Sequence, residues 1–175
     1  MRRIVLTFGL ISGAALSAMM AISMAFHDQI GFGNAGLIIG YATMVLAFLM
    51  IFFGVRSYRD KVGGGAVTFG KAFQVGLLIM LISSACYVAS WQVVYRNFMP
   101  DFMDKYSAHE LDKARQAGAT EAQLAAQSRE MADFNEMYKN PLVNIAFTLL
   151  EPLPVGLVIT LISAAVLKRK EPLPA

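Results

Sequence analysis

Few side chains in this chain of 175 residues are of a type, and in a place, to do chemistry. Glu151 is the first of them. It stands in Glu151-Pro152-Leu153-Pro154, inside an apolar run from Pro141 to about Leu167. Proline has no N–H to give its helix, so the run is expected to bend there. At ~1.5 Å per residue, Glu151 lies ~15 Å along it. That is near the middle of a ~30 Å hydrocarbon core. A charge at that depth costs at least ~2.5–3.5 kcal/mol. The carboxyl is therefore expected to face a bundle interior, buried, hydrogen-bonded and carrying its proton at pH 7. Ser83, Ser84, Tyr87 and Tyr41 are the hydroxyls that could reach it, beside backbone groups freed by the prolines. Two roles fit: satisfying a broken helix, or proton- or substrate-linked work of the kind that broken helices support in transporters.

The second candidate is Tyr58–Gly76, YRDKVGGGAVTFGKAFQVG. Gly65-Ala66-Val67-Thr68-Phe69-Gly70-Lys71-Ala72 nearly matches a phosphate-binding G-x-x-x-x-G-K-[ST] loop. It fails at Ala72, where a hydroxyl should ligate magnesium, and an apolar run precedes it instead of a strand. A membrane-surface reading fits better. The three glycines Gly63–Gly65 form a flexible break, and Thr68 caps a new helix starting near Phe69. Phe69 and Phe73 anchor at the interface and Lys71 snorkels to headgroups. Arg59 and Lys61 would face anionic lipid. His109 lies beside Glu110 and Asp112, which reads as a solvated charged face. His27 is far from His109, and the single Cys86 sits in an apolar run, so neither a metal site nor a disulfide is expected. No Ser-His-Asp or Cys-His set and no intramembrane protease signature is present. No cofactor is expected, and the chain is read as a non-enzyme.

The elements that must position these residues are apolar. Hydrophobic residues make up 57% of the chain, against about 45–50% in a soluble domain, and the mean hydropathy is +0.54. The excess falls in four runs, at about 4–26, 36–55, 69–95 and 141–167. The first exceeds the ~7–15 residues of a signal-peptide core, so it is read as a retained helix. Gly9, Gly13, Ser17 and Ala21 make a small-residue stripe on it, and Gly36 and Gly40 form a G-x-x-x-G on the second. Such stripes permit close helix approach, so the first two helices are expected to form a tight hairpin. Gly156, Thr160 and Ala164 continue a like stripe in the last helix. Tyr87, Trp91 and Tyr95 cluster at the far end of the third run, as at a membrane interface.

Between the third and fourth runs the composition shifts. Residues 96–140 carry six basic and eight acidic side chains. Pro100 suits a helical first turn. Ala117-Gly118-Ala119-Thr120 reads as stop, turn and new cap, and Leu124, Met131, Phe134 and Tyr138 make a thin apolar stripe. The expectation is an extramembrane helical hairpin over about 100–139, packed on itself, on the membrane surface or on another subunit. The fold class is therefore all-α, a four-helix transmembrane bundle forming one domain over residues 1–175. Nine Lys and Arg residues flank the start, the 56–71 loop and the tail, against none in the turn after the first run. The positive-inside rule puts both termini in the cytoplasm. The same mapping accounts for the net charge of +3 without nucleic acid.

The Tyr58-Arg59-Asp60-Lys61 tetrad, the glycine loop and Thr68-Phe69-Gly70-Lys71-Ala72-Phe73-Gln74-Val75-Gly76 resemble the DUF4199 family of small bacterial membrane proteins. Pro100-Asp101-Phe102 with Tyr106 is similar to that family's element after the third helix. Glu151 followed by Pro154-Val155-Gly156-Leu157 resembles its last-helix signature, and LISAAVLKRK its C-terminal end. The resemblance implies a four-helix protein of the bacterial inner membrane with no assigned activity. From the residues come two functional expectations. One is a structural or partner-binding membrane component, in the lipid bilayer with a second copy or a membrane-protein partner. The other is a small oligomeric transporter or proton-linked permeation unit using Glu151.

Overall fold

The computed structural model describes residues 1–26 and 33–171. Most of the polar turn at residues 27–34 and the end of the tail lie outside the described residues. Among the described residues seven helices follow in order: α1 (Arg2–Ala25), α2 (Asn34–Lys61), α3 (Phe69–Asn97), α4 (Phe102–Gln116), α5 (Glu121–Tyr138), α6 (Pro141–Leu150) and α7 (Pro152–Leu167). Four stretches are long and apolar enough to cross a membrane: α1, most of α2, α3, and α6 with α7. The sequence placed the end of the second helix near Val55, but α2 continues to Lys61. Its last turns carry Arg56, Arg59, Asp60 and Lys61, and charge does not end a helix whose backbone can project beyond the apolar layer.

The spans bury hydroxyl residues among their apolar core and leave large apolar side chains on the outside. Ser12, Ser83, Ser84, Thr160 and Ser163 are buried, while Leu10, Ile38, Leu46, Val93, Leu150 and Val166 are more than half exposed. Water would drive such surfaces together, and hydrocarbon would not. Small residues and hydroxyls instead bring the helices close. Ser12 Oγ donates to the Ala47 carbonyl (2.9 Å), Ser83 Oγ to the Gly9 carbonyl (3.1 Å) and Ser90 Oγ to Ser17 Oγ (2.7 Å).

The first two helices do pack on each other, as expected, but theirs is not the most extensive pairing of α1. α1 packs most extensively on α3, and less so on α2. A Cβ at Gly13 would come within 2.7 Å of Cys86 Cβ, so the stripe of α1 serves the approach to α3. At Gly40 a Cβ would meet nothing, so that glycine holds no helix close. Helix neighbours in sequence need not be the closest in space once a third helix offers a better-fitting face. The stripe of α7 behaves as read: Gly156 lies against Met80 and Phe48, and Thr160 against Gly76. Thus α7 packs on both α2 and α3, whereas the close packing of α6 is with α3, α5 and α7.

At the end of the bundle bearing the glycine loop, the expected flexible break is an ordered turn. The Tyr58 carbonyl accepts from Val62 and Gly63, and the Arg59 carbonyl from Gly65. Gly64 and Gly65 have φ of +59° and +88°, which favour glycine. A side chain at Gly63 would run into the Ala66 carbonyl. Val67 and Arg169 then exchange both backbone hydrogen bonds (3.0 and 2.8 Å), tying this loop to the end of α7.

At the opposite end α4 and α5 form the expected hairpin. Thr120 caps α5 and forms a capping box with Gln123. Pro100 differs from expectation, lying in the turn before α4. There the Phe102 N–H bonds to the Met99 carbonyl, and the helix starts only at Phe102.

Candidate functional site

α6 and α7 meet at Glu151, which keeps right-handed helical angles (φ −67°, ψ −55°). The run is kinked rather than broken. Pro152 and Pro154 withhold N–H groups from the Thr148 and Leu150 carbonyls, four residues back. The change of packing partners between α6 and α7 falls at this kink. Beyond it, on the hairpin side, a cavity of about 300 Å³ lies between α1, α2, α3 and α6. That is the low end of the size range of small-molecule sites.

Glu151 lines this cavity, and Tyr87 Oη of α3 donates a 2.8 Å hydrogen bond to its Oε2. The hydrogen bond agrees with the expectation, with Tyr87 as the donor among the four hydroxyls considered. Ser83 instead donates to the Gly9 and Ile79 carbonyls, and Tyr41 is half exposed. Full burial does not hold: Glu151 is an exposed residue that also lines the cavity. α6 does not pack closely on α2, and the carboxyl borders the space between them. Met19, Met20, Met24 and Met44 line the α1 and α2 walls. Methionine is long, soft and adaptable, suited to a wall that must follow more than one shape.

The hairpin closes the cavity at its far end. Trp91, buried, donates from Nε1 to Tyr138 Oη at 2.9 Å. Phe102 meets Trp91 edge-on at 4.8 Å, Tyr95 meets Tyr138 edge-on at 5.6 Å, and Phe134 meets Phe147 edge-on at 5.0 Å. Each such pair is worth about 0.5–1.5 kcal/mol beyond its buried area. The hairpin therefore packs on the bundle itself through α3 and α6. Trp91 is thereby covered by protein, a correction to its expected place facing the membrane interface. Burial pushes the Tyr138 phenol above its ordinary value, and its hydrogen bonds to Thr148 and Trp91 only partly offset that. Nearby, Gln92 donates to Asn144 Oδ1 at 2.5 Å, while Asn144 Nδ2 is buried with no partner among the described residues. The Tyr138, Phe147 and Thr148 contributions carry no motif in the sequence. Only the aromatic spacing of Phe134 and Tyr138 on α5 hinted at them.

The other residues singled out in the sequence do not converge on Glu151. Tyr58, Arg59, Asp60, Phe69, Gly70, Lys71, Phe73 and Gly76 lie in the last turns of α2 and the first of α3. Tyr58 is buried in the core there. Arg59 Nε donates to Asp60 at 2.7 Å, and Arg56 is 3.7 Å from the same carboxylate. Lys71 Nζ donates to Gln74, its backbone N–H to the Thr68 cap, and Phe69 stacks on Phe73. Gly76 admits Ile51 and Thr160 close to its backbone. Pro100, Asp101 and Tyr106 are at the hairpin end. The Lys105 ammonium, 3.0 Å from Asp101, holds that carboxyl below the usual aspartate value. Tyr106 stacks with Phe102. His109 is half-buried rather than fully solvated, with Glu110 paired to Lys113 and Asp112 to Arg115. Pro154 and Gly156 stay with Glu151, the first as part of the kink and the second where Met80 approaches. Among the described residues no group of three His, Cys, Asp or Glu could hold a metal ion.

Fold and site together define an all-α bundle with four membrane-span-like helices, a docked helical hairpin, and one carboxyl at a proline kink facing a cavity. The family model of DUF4199, a protein of unknown function, matches residues 7–169, and the chain belongs to that family. No curated protein and no solved structure matches the chain significantly.

Proposed function

We propose that the chain is a non-enzymatic, multi-pass component of a bacterial inner membrane that acts by binding a partner. Both termini are cytoplasmic in this reading, from the nine cations at one end of the bundle. The observation that carries it is the docked hairpin. The aromatic contacts of Trp91, Phe102 and Tyr138 hold α4 and α5 in one position on the bundle. A surface held in place before binding loses less entropy on association than a loose one. The partner is a second copy or another membrane protein. A photo-crosslinker at Ser128, exposed on α5, tests this in native membranes. A discrete adduct heavier than the monomer is expected, and monomer alone would sink the reading. Reporter fusions after Lys61 and near Gly118 test the orientation, with cytoplasmic and outer signals expected respectively.

A second reading is favoured by one observation, the Tyr87–Glu151 pair facing a cavity at a proline kink. It makes the protein a small, oligomeric, proton-linked or substrate-linked permeation unit. Glu151→Gln keeps the shape and cannot exchange a proton. A stable Glu151→Gln variant is expected to fail to complement a deletion, and full complementation would remove the proton-linked role.

A further inference from the structure

We propose that the Glu151 cavity binds an organic monocation with an apolar body, such as an alkyl- or arylammonium. This rests on the second reading only in using the same carboxyl, and needs no transport. The inference begins with charge. Among the described residues lining the cavity, Glu151 is the one carboxyl, and no Lys, Arg or His lines it. Glu151 makes no ion pair with any described residue, and Tyr87 satisfies only Oε2. Oε1 has no hydrogen-bond partner among the described residues. An acceptor of this kind, set among methionines and aromatic rings, is completed by a single positive charge. The described residues supply none at the wall.

The rest of the lining selects the kind of cation. A small inorganic ion needs several oxygen ligands at short range. Here one carboxyl is accompanied by Thr43, Thr148 and Ser23 and by mostly apolar or aromatic surface. Trp91, Phe102, Tyr138 and Phe147 present ring surface to the same space. Aromatic faces attract ammonium groups, more strongly where water is excluded. Trp91 and Tyr138 are locked to each other by their hydrogen bond, so this part of the wall is rigid. The four methionines opposite are adaptable and accept apolar bodies of differing shape. A rigid aromatic face with a carboxyl on one side, and a soft apolar face on the other, fits an amphipathic amine.

The single tryptophan of the chain, Trp91, lines the cavity and serves as the reporter. Full-length protein in zwitterionic nanodiscs is titrated with benzyltrimethylammonium, a permanent cation, and with neopentylbenzene, its uncharged isostere. The cation is expected to give a saturable change in Trp91 emission, with the isostere at least ~10-fold weaker. Glu151→Gln is expected to weaken the cation at least ~10-fold and leave the isostere unchanged. Equal binding of cation and isostere would make the cavity an apolar slot and overturn the proposal. So would an unchanged cation affinity in Glu151→Gln, or an equal response to sodium or potassium chloride at the same concentrations. The isostere comparison uses the unmutated protein, so the decision stands even where the variant fails to fold. Flux across proteoliposomes is measured separately. Binding without flux removes the permeation reading and leaves the site, and flux without cation preference does the reverse.

Discussion

Replacing Gly13 by alanine should loosen the bundle, and the same change at Gly40 should tighten it. At Gly13 the new methyl would lie 2.7 Å from Cys86 Cβ, 2.8 Å from Cys86 Sγ and 3.4 Å from the Ser83 Cα. Ordinary carbon–carbon contact is ~3.5–4.0 Å. The Sγ can rotate away, but Cys86 Cβ moves only with the backbone of α3. Relief therefore requires α1 and α3 to separate by roughly 1 Å, with strain on the Ser83 and Ser90 hydrogen bonds nearby. Overpacking of this kind costs ~1–3 kcal/mol. Alanine recovers ~0.5–1 kcal/mol of helix propensity relative to glycine. The net expectation is a loss of about 1–2 kcal/mol. At Gly40 nothing lies within 4 Å of the new methyl, so only the propensity gain remains. Unfolding by SDS in mixed micelles, followed by far-UV circular dichroism, reads both signs. Cys86→Gly removes the obstructing Cβ, so the loss caused by Gly13→Ala should shrink in that background. The coupling comes from the double-mutant cycle. A Gly13→Ala protein as stable as the parent, with no coupling to Cys86, would refute the argument.

Other outcomes are expected. Tyr138→Phe strips the buried Trp91 N–H of its acceptor and should cost the docked hairpin ~1–3 kcal/mol. Faster amide exchange in α4 and α5, with the spans unchanged, would register it. The folded-state value of Tyr138 is raised, so its contribution is full below the ordinary phenol value of ~10 and lost as pH rises above it. Quenching of Trp91 by the tyrosinate should therefore have its midpoint above ~10, and a midpoint at or below 10 would contradict the buried contact. Gly63→Ala should undo the turn joining α2 to α3, since the methyl meets the Ala66 carbonyl. Protease sensitivity at 62–68 is the readout, and an unchanged digest would count against the ordered turn.

Much of this protein is legible along the chain. Four apolar runs of sufficient length, the caps at Thr68 and Thr120, and the prolines after Glu151 act locally. The helices they predict therefore form close to the expected positions. The need of the Glu151 carboxyl for a hydrogen-bond partner is equally local, since lipid cannot solvate it. What depends on tertiary structure is which faces meet. The glycines of α1 and the G-x-x-x-G of α2 look alike in sequence. Yet a Cβ at Gly13 would meet α3 and one at Gly40 would meet nothing within 4 Å, because a small residue permits close approach without naming a partner. The same holds for Glu151: four hydroxyls could have reached it, and the packing of α3 against the kink selects Tyr87. The cavity is least visible of all in the sequence. It arises where α6 leaves α2 and the hairpin folds back over Trp91, and it is a property of the space between helices rather than of any segment.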